Sequence, residues 1–207
     1  MPGGLVHRRT PPSNPAVDRP APFRPFLSAT VMHLYLCGYR GSGKTTVATA
    51  LAERLNLPVI DTDAVVVQTT GRTIADMFAT DGEETFRRME EVAVAEAAAR
   101  PDPTIISLGG GAVMRVANRD RLRNTGRAVY LHSDAPTLRR RIEADSQSDA
   151  QRPALTSATA TDEISEVLAI RDPVYRSVAD VVIDGSQPIE DVTEAIVRWW
   201  DERPEHR

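Results

Sequence analysis

The strongest constraint on this chain is the segment at residues 38–45, which reads GYRGSGKT and matches the pattern G-x-x-x-x-G-K-[ST]. An apolar run at 34–37 precedes it, and a helical pattern of apolar residues follows at 47–55. In this order of strand, glycine-rich loop and helix, successive backbone N–H groups point at phosphate oxygens, and the positive end of the helix adds to the attraction. The segment therefore predicts a binding site for a nucleoside triphosphate.

Two side chains at the end of this loop would carry the phosphate chemistry. Lys44 is the only lysine in the chain, which otherwise uses arginine as its cation. A compact ammonium suits a tight loop in which a planar guanidinium would not fit. We expect Lys44 to reach the β- and γ-phosphates and the Thr45 hydroxyl to ligate Mg²⁺. The motif does not specify where the γ-phosphate goes.

Composition excludes several classes of protein. The 207 residues suffice for one α/β domain with a full core. The net charge of −4 gives no electrostatic footprint for nucleic acid. No apolar run approaches the roughly 18 residues of a membrane span. A single cysteine cannot form an intramolecular disulfide, which fits a reducing compartment. We expect a cytoplasmic monomer that binds neither nucleic acid nor membrane.

The chain divides into two parts of different character. Residues 1–31 hold seven of the 15 prolines and show no periodicity, which predicts a disordered tail. In residues 32–207, strand-type apolar runs alternate with helical patterns. About five strands are expected to form a parallel sheet with helices on both faces, joined by right-handed crossovers. This is the three-layer α/β sandwich of P-loop NTPases.

Two carboxylates, Asp61 and Asp63, follow a short predicted strand at 59–60. In parallel sheets, ligands bind at the carboxyl edge of the strands. A carboxylate there could hold Mg²⁺ through water or accept a proton from a substrate hydroxyl. Alternatively, Asp61 or Asp63 caps the helix that follows. Because the phosphate-binding loop shares this edge, we favour the functional interpretation.

Two further segments are candidates for the same edge of the sheet. Three glycines at 109–111 follow a strand-type run, and they predict either a ligand cradle or an ordinary tight turn. A separate long helix, opened by residues 81–84 and ended by Pro101, carries Arg87 and Arg88 on its first turns. The residue pattern alone does not choose between these two arginines, and a solvated face is the ordinary interpretation.

The second half of the chain supplies a predicted lid and an unusual arginine. Residues 145–155 are polar and helix-breaking and contain Arg152, which predicts a mobile lid over phosphate or an ordinary surface loop. A helical pattern at 163–177 places Arg171 on an apolar face. Since unpaired burial of a charge is costly, Arg171 should meet either an internal carboxylate or an anionic ligand. Pro173 predicts a kink or break in this helix.

Taken together, these segments resemble the shikimate kinase family from residue 32 to about residue 200. The matching pieces occur in the family's order: GYRGSGKTT, DTD, TGRTIADMFATDGEETFRRMEE, SLGGGAV, the lid pair RP, and RDPVYR. The runs DGEExFR and SLGGGAV are specific to this family among small P-loop kinases.

The resemblance implies ATP as co-substrate and Mg²⁺ as cofactor. Lys44 would stabilise the transferring phosphoryl group, Thr45 would ligate Mg²⁺, and Asp61 would hold a Mg²⁺-bound water. Arg152 would be the lid arginine over the phosphates, and Arg141 resembles the arginine that stacks on adenine. The residues implied for ATP binding are Gly41, Ser42, Gly43, Lys44, Thr45, Thr46, Arg141 and Arg152.

On the acceptor side, the resemblance implies that Asp63 is the general base for the attacking hydroxyl. Arg87 and Arg171 would bind the shikimate carboxylate, which selects Arg87 over Arg88, and Glu90 would orient this cluster. The other implied acceptor-site residues are Phe78 and Phe86 as walls and Gly109, Gly110 and Gly111 through their backbone.

The implied reaction is ATP-dependent phosphorylation of the shikimate 3-hydroxyl. Two alternatives are another small-metabolite P-loop kinase, such as a gluconate kinase, and a shikimate-kinase-like binding protein that has lost catalysis. The paired arginines and the triple glycine argue against the first alternative. A protein that has lost catalysis should lack Lys44, Asp63 or Arg152, and all three are present.

Overall fold

A computed structural model of the chain describes residues 31–145 and 160–202. The predicted tail at 1–31 lies outside the described residues except for its last position, and so does most of the predicted lid, including Arg152.

The described residues form a five-stranded sheet in which every pairing is parallel. The strands lie in the order β2-β3-β1-β4-β5. Their bounds are His33–Cys37 (β1), Val59–Asp61 (β2), Ile105–Ser107 (β3), Gly126–His132 (β4) and Val181–Asp184 (β5). The central strand β1 is buried along its whole length, as expected for a parallel strand covered on both faces.

Helices cover both faces of this sheet. Their bounds are Lys44–Leu55 (α1), Thr62–Thr70 (α2), Ile74–Ala98 (α3), Val116–Thr125 (α4), Ala135–Ala144 (α5), Ala160–Val178 (α6) and Ile189–Asp201 (α7), with a 3₁₀ turn at Ala112–Met114. None of these helices combines the length and the apolar character that a membrane span needs.

The side chains of β1 alternate between two cores. Leu34 and Leu36 pack in the core that contains Leu51 of α1 and Ile196 of α7. Tyr35 and Cys37 point to the opposite core, which contains residues of α3, α4 and α6. This alternation follows from the two-residue period of a strand. The predicted three-layer α/β fold is therefore confirmed.

Two helices differ from the sequence prediction. The segment capped by Thr73 and the long helix that was expected to open at residues 81–84 are continuous as α3, with a kink at Gly82, where φ is 80° and ψ is 166°. A positive φ of this size is readily adopted only by glycine. Of the kink or break predicted at Pro173, the break is wrong, because α6 continues to Val178. Tyr175 and Val178, both in the core, hold the last turn in place although one helical hydrogen bond is lost.

The topology brings the candidate functional segments to one edge of the sheet. The loop at 38–43 follows β1, Asp61 ends β2, and the triple glycine follows β3 within two residues. Because all strands are parallel, these three carboxyl ends lie side by side.

Candidate active site

The loop between β1 and α1 curls back on itself through glycine. Gly41 and Gly43 have φ of 80° and 90°, values that strain any residue with a Cβ. The backbone N–H of Ser42 donates to the carbonyl of Tyr39 at 3.2 Å. Helix α1 begins directly at Lys44, so its N-terminal N–H groups lie at the end of the loop, where an anion binds favourably.

Lys44 is held by the loop to which it belongs. Its Nζ donates to the carbonyl oxygens of Gly38 at 3.0 Å and Tyr39 at 2.9 Å. The residue is only 8% exposed. The ammonium is therefore fixed at the centre of the phosphate-binding loop.

Asp61 has the helix-capping role that the sequence analysis gave as the alternative to a functional one, and it also contacts the phosphate-binding loop. Its Oδ1 accepts from the backbone N–H groups of Asp63 at 3.0 Å and Ala64 at 3.2 Å and so caps α2. Its Oδ2 accepts from Thr45 Oγ1 at 2.9 Å and from Ser107 Oγ at 3.0 Å. This cap explains why α2 begins at Thr62.

The Thr45–Asp61 pair fits a magnesium ion. Since Thr45 gives its hydroxyl proton to Asp61, its oxygen lone pairs remain available for a cation. Mg²⁺ usually takes only one or two protein oxygens and completes its shell with water and phosphate. The described ranges contain no cluster of three or more His, Cys, Asp or Glu side chains suited to a metal.

A cavity of about 970 Å³ opens around these groups, and we call it the nucleotide cavity. Arg141 of α5 lines it and donates from Nη1 to the carbonyl of Gly185, at 2.7 Å. Ile189, the first residue of α7, also lines it, although nothing in its own sequence segment indicated this. The wall further includes Gly41, Gly43, Lys44, Thr45, Thr46, Asp61 and Asp63.

A second cavity of about 280 Å³, which we call the acceptor cavity, adjoins the first at Asp63. Asp63 lines both cavities. The predicted acceptor-site residues Phe78, Phe86, Arg87, Glu90, Gly110, Gly111 and Arg171 all line the second one. The structure therefore brings together residues from α2, α3, α6 and the turn at 109–111, which we call the glycine turn. These residues are up to about a hundred positions apart in the sequence.

Arg87 is clamped by two carboxylates. Its Nε and Nη2 donate to Oε1 of Glu83 at 3.1 and 3.0 Å, and its Nη1 donates to Oε2 of Glu90 at 2.8 Å. The guanidinium also lies 5.2 Å from the centre of the Phe86 ring. The side chain of Arg87 is 13% exposed, whereas that of Arg88 is 72% exposed. Arg87 therefore belongs to the cavity and Arg88 to the surface.

Glu90 is a buried carboxylate with an unusual environment. Burial raises its pKa above the usual range, and the positive charge of Arg87 acts in the opposite direction. Among the described residues, its Oε1 is buried and has no hydrogen-bond partner. Such an atom is costly to bury and is a good acceptor for a ligand hydroxyl.

The glycine turn makes room for the charged side chains of the site. A Cβ on Gly109 would lie 2.5 Å from Oδ1 of Asp63 and would also clash with Glu90. A Cβ on Gly111 would clash with the guanidinium of Arg87. The residue pattern predicted either a ligand cradle or an ordinary tight turn here, and the family resemblance implied backbone contact with the acceptor. Gly110 and Gly111 line the cavity, but the closest approaches at Gly109 and Gly111 are to the protein's own side chains.

Arg171 is held by neutral groups instead of carboxylates. Its Nη1 donates to the carbonyl of Gly110 at 3.5 Å, and its guanidinium lies 5.8 Å from the centre of the Tyr39 ring. No salt bridge to Arg171 occurs within residues 31–145 and 160–202. Of the two alternatives for this arginine, the anionic ligand is therefore favoured.

Sequence reasoning missed several residues of the acceptor cavity. Tyr39 and Arg40 occupy unrestricted positions of the loop motif, so the motif gave no signal for them. Glu83 lies four residues before Arg87 on a helix, and that spacing was the available signal. Glu163 and Val167 line the cavity from α6.

Comparison with known proteins identifies the family. A family model described as shikimate kinase matches residues 40–201. A shikimate kinase from Rhodopirellula baltica is 44% identical over 154 residues, which are 74% of this chain and 82% of that protein. A shikimate kinase from Symbiobacterium thermophilum is 42% identical over 175 residues, which are 84% of this chain and 99% of that protein.

A solved structure supports the same conclusion. The shikimate kinase from Acinetobacter baumannii in complex with shikimate has a TM-score of 0.76 and 34% sequence identity. The match covers 83% of this chain and 94% of that one. The resemblance read from the sequence motifs is confirmed, and this chain belongs to the shikimate kinase family.

Proposed function

We propose that this protein transfers the γ-phosphoryl group of ATP to the 3-hydroxyl of shikimate, giving shikimate 3-phosphate and ADP. The observation that carries the proposal is the position of Asp63, which lines the nucleotide cavity and the acceptor cavity at once. A hydroxyl beside Asp63 would therefore face the phosphate-binding loop. Family membership and the shikimate-bound relative supply the acceptor.

Arg87 and Arg171 would bind the shikimate carboxylate. Guanidinium groups bind carboxylates through paired hydrogen bonds. Three of the five N–H donors of Arg87 are used by Glu83 and Glu90, so two remain for a ligand. Together, Arg87 and Arg171 would fix the acceptor ring so that its hydroxyl reaches Asp63. Phe78 and Phe86, whose ring centres are 5.0 Å apart, would wall the ring.

Transfer would proceed by attack of the hydroxyl oxygen on the γ-phosphorus, with loss of the bond between that phosphorus and the β–γ bridging oxygen. The hydroxyl proton passes to the Asp63 carboxylate, which acts as general base. Lys44 would stabilise the charge on the transferring group, and most of the acceleration comes from positioning and electrostatics.

Mg²⁺ bound to the nucleotide would neutralise phosphate charge during transfer. Thr45 would be its direct protein ligand, and Asp61 would hold a water of its shell. Arg152, which lies outside the described residues, is proposed as the lid arginine, and lid closure would exclude water from the reaction.

The two rival functions are less well supported. Lys44 and Asp63 are both in place at their cavities, which disfavours a binding protein without catalysis. The acceptor cavity combines three arginines, Arg40, Arg87 and Arg171, with a pair of aromatic walls, which favours a ring-shaped carboxylic acid over an open-chain one such as gluconate.

We also propose that residues 32–207 form the catalytic domain, that the enzyme acts as a monomer in the cytoplasm, and that it binds neither nucleic acid nor membrane. The single cysteine, Cys37, is buried, and burial raises its thiol pKa to about 12. An unreactive thiol of this kind suits a structural role in the core.

A coupled ADP-release assay tests the proposed function. The purified chain is supplied with ATP and MgCl₂ and with shikimate, gluconate or no acceptor. We expect ADP release that depends on shikimate and that stops when EDTA removes the Mg²⁺. ATP binding without release in the presence of shikimate would support the binding-protein alternative, and release with gluconate would support a different acceptor.

A further inference from the structure

Tyr175 of α6 connects the helix of Arg171 to the glycine turn. Its side chain is fully buried, and its hydroxyl donates a short hydrogen bond to the carbonyl of Gly110. The same oxygen lies 3.5 Å from Nη1 of Arg171. One backbone carbonyl at the wall of the acceptor cavity is therefore approached by two donors, of which Tyr175 is much the closer.

The Tyr175 ring is fixed by its surroundings. It stacks on the ring of Tyr130 from β4, with the ring centres 4.9 Å apart and the planes inclined by 26°. The Tyr130 hydroxyl turns away to Oδ1 of Asp172, at 2.8 Å. Burial raises the pKa of Tyr175, although Arg171 nearby acts in the opposite direction, so the phenol keeps the proton that it donates.

A half-buried carbonyl that loses the closer of two donors should draw the remaining donor nearer, because a poorly satisfied acceptor is costly. For Gly110 the remaining donor is Nη1 of Arg171, which with Tyr175 in place makes only a long contact of 3.5 Å. A guanidinium drawn onto that carbonyl has fewer N–H groups to offer to a ligand, and its position over the Tyr39 ring changes as well. The Tyr175 hydroxyl prevents both effects.

We propose that Tyr175 is a positioning residue for the acceptor: its hydroxyl satisfies the Gly110 carbonyl and thereby keeps Arg171 available to the substrate carboxylate. The inference rests on the proposed function, in which Arg171 binds shikimate. It concerns the acceptor cavity alone, since Tyr175 does not line the nucleotide cavity.

The test compares Tyr175→Phe with the matched variant Tyr130→Phe. Each removes one buried hydroxyl from the same stacked pair, but only the first hydroxyl reaches the wall of the acceptor cavity. We expect Tyr175→Phe to raise the KM for shikimate about tenfold, with kcat and the KM for ATP changed less than about twofold. Tyr130→Phe should leave all three constants close to those of the parent. Melting temperatures establish that both variants are folded.

A double-mutant cycle shows whether Tyr175 acts through Arg171. In an Arg171→Lys background, Tyr175→Phe should change shikimate affinity, measured by calorimetry, by less than about twofold. A tenfold effect that persists in that background would overturn the inference, as would equal KM changes in the two phenylalanine variants. A parent protein without shikimate-dependent ADP release would instead overturn the proposed function, and this inference with it.

Discussion

The two cavities that meet at Asp63 are built in different ways. The phosphate-binding part of the nucleotide cavity is formed by one continuous loop and the start of α1, where glycines of positive φ set the backbone and Lys44 bonds to the loop's own carbonyls. The acceptor cavity is formed by side chains from α2, α3, α6 and the glycine turn. The first is a backbone site, and the second is a side-chain site.

This difference determines what each cavity tolerates. A backbone site depends on conformations that only glycine adopts easily, so it should be most sensitive to added Cβ atoms. A side-chain site depends on charges held at low exposure, such as Glu90 and Arg87, so it should be most sensitive to changes of charge and hydrogen bonding. The predictions below separate these two sensitivities.

The largest effect is expected where the cavities join. Asp63→Asn removes the proton acceptor but keeps the size of the side chain. We expect kcat to fall by about 10²- to 10⁴-fold, while calorimetry shows that ATP and shikimate still bind. Loss of binding of one ligand, with kcat nearly retained, would assign Asp63 to that cavity alone and remove its role as general base.

The next largest effect concerns the acceptor cavity. Arg87→Lys keeps the positive charge but loses the forked donors, so the KM for shikimate should rise about 30-fold with the KM for ATP unchanged. Arg88→Lys is the matched control on the next residue, whose side chain is 72% exposed. Similar kinetics for the two variants would contradict the placement of the carboxylate on Arg87.

A smaller effect is expected from strain in the nucleotide cavity. Gly43→Ala and Gly71→Ala each place a Cβ at a positive φ, of 90° and 67°, with no atom nearer than 4.0 Å. Both should cost about 1–2 kcal/mol in the free energy of unfolding. Only Gly43→Ala should also raise the KM for ATP, by several-fold. If Gly71→Ala raised it equally, the effect would be general destabilisation.

The smallest effect lies away from both cavities, at the amino end of β1. His33 is buried, and this burial lowers its pKa below the ordinary value of 6.5, while a hydrogen bond with the carbonyl of Ala98 acts in the opposite direction. Below pH 6.5 the unfolded chain therefore takes up the proton first, and the free energy of unfolding falls as the solution is acidified.

Replacing His33 by Leu should flatten the dependence of melting temperature on pH between about 7 and 5, in the window where the lowered pKa of His33 matters. Kinetic constants at pH 7.5 should not change, because His33 lines neither cavity. An unaltered slope of melting temperature against pH would show that other groups control stability in this range.

How far each cavity could be predicted follows from how it is built. For the nucleotide cavity, eight consecutive residues specify the loop, and the strand and helix patterns lie directly beside them, so the motif was sufficient to predict Lys44 and Thr45. For the acceptor cavity, the residue pattern left Arg87 and Arg88 equivalent, and only the family resemblance separated them. In the structure, Arg87 and Arg88 lie in different environments because adjacent side chains on a helix point about 100° apart.

The sequence by itself determined the order of strands and helices, the parallel sheet and the phosphate-binding loop, because these depend on local patterns and on short connections. It also determined the family. Only the tertiary structure decided that Asp61 is both a helix cap and the partner of Thr45. The same is true of the space that Gly109 and Gly111 leave for Asp63, Glu90 and Arg87, and of the bond from Tyr175 to Gly110. These contacts join residues that are distant in the chain, and no local pattern specifies which side chains the packing of α3 and α6 will bring together.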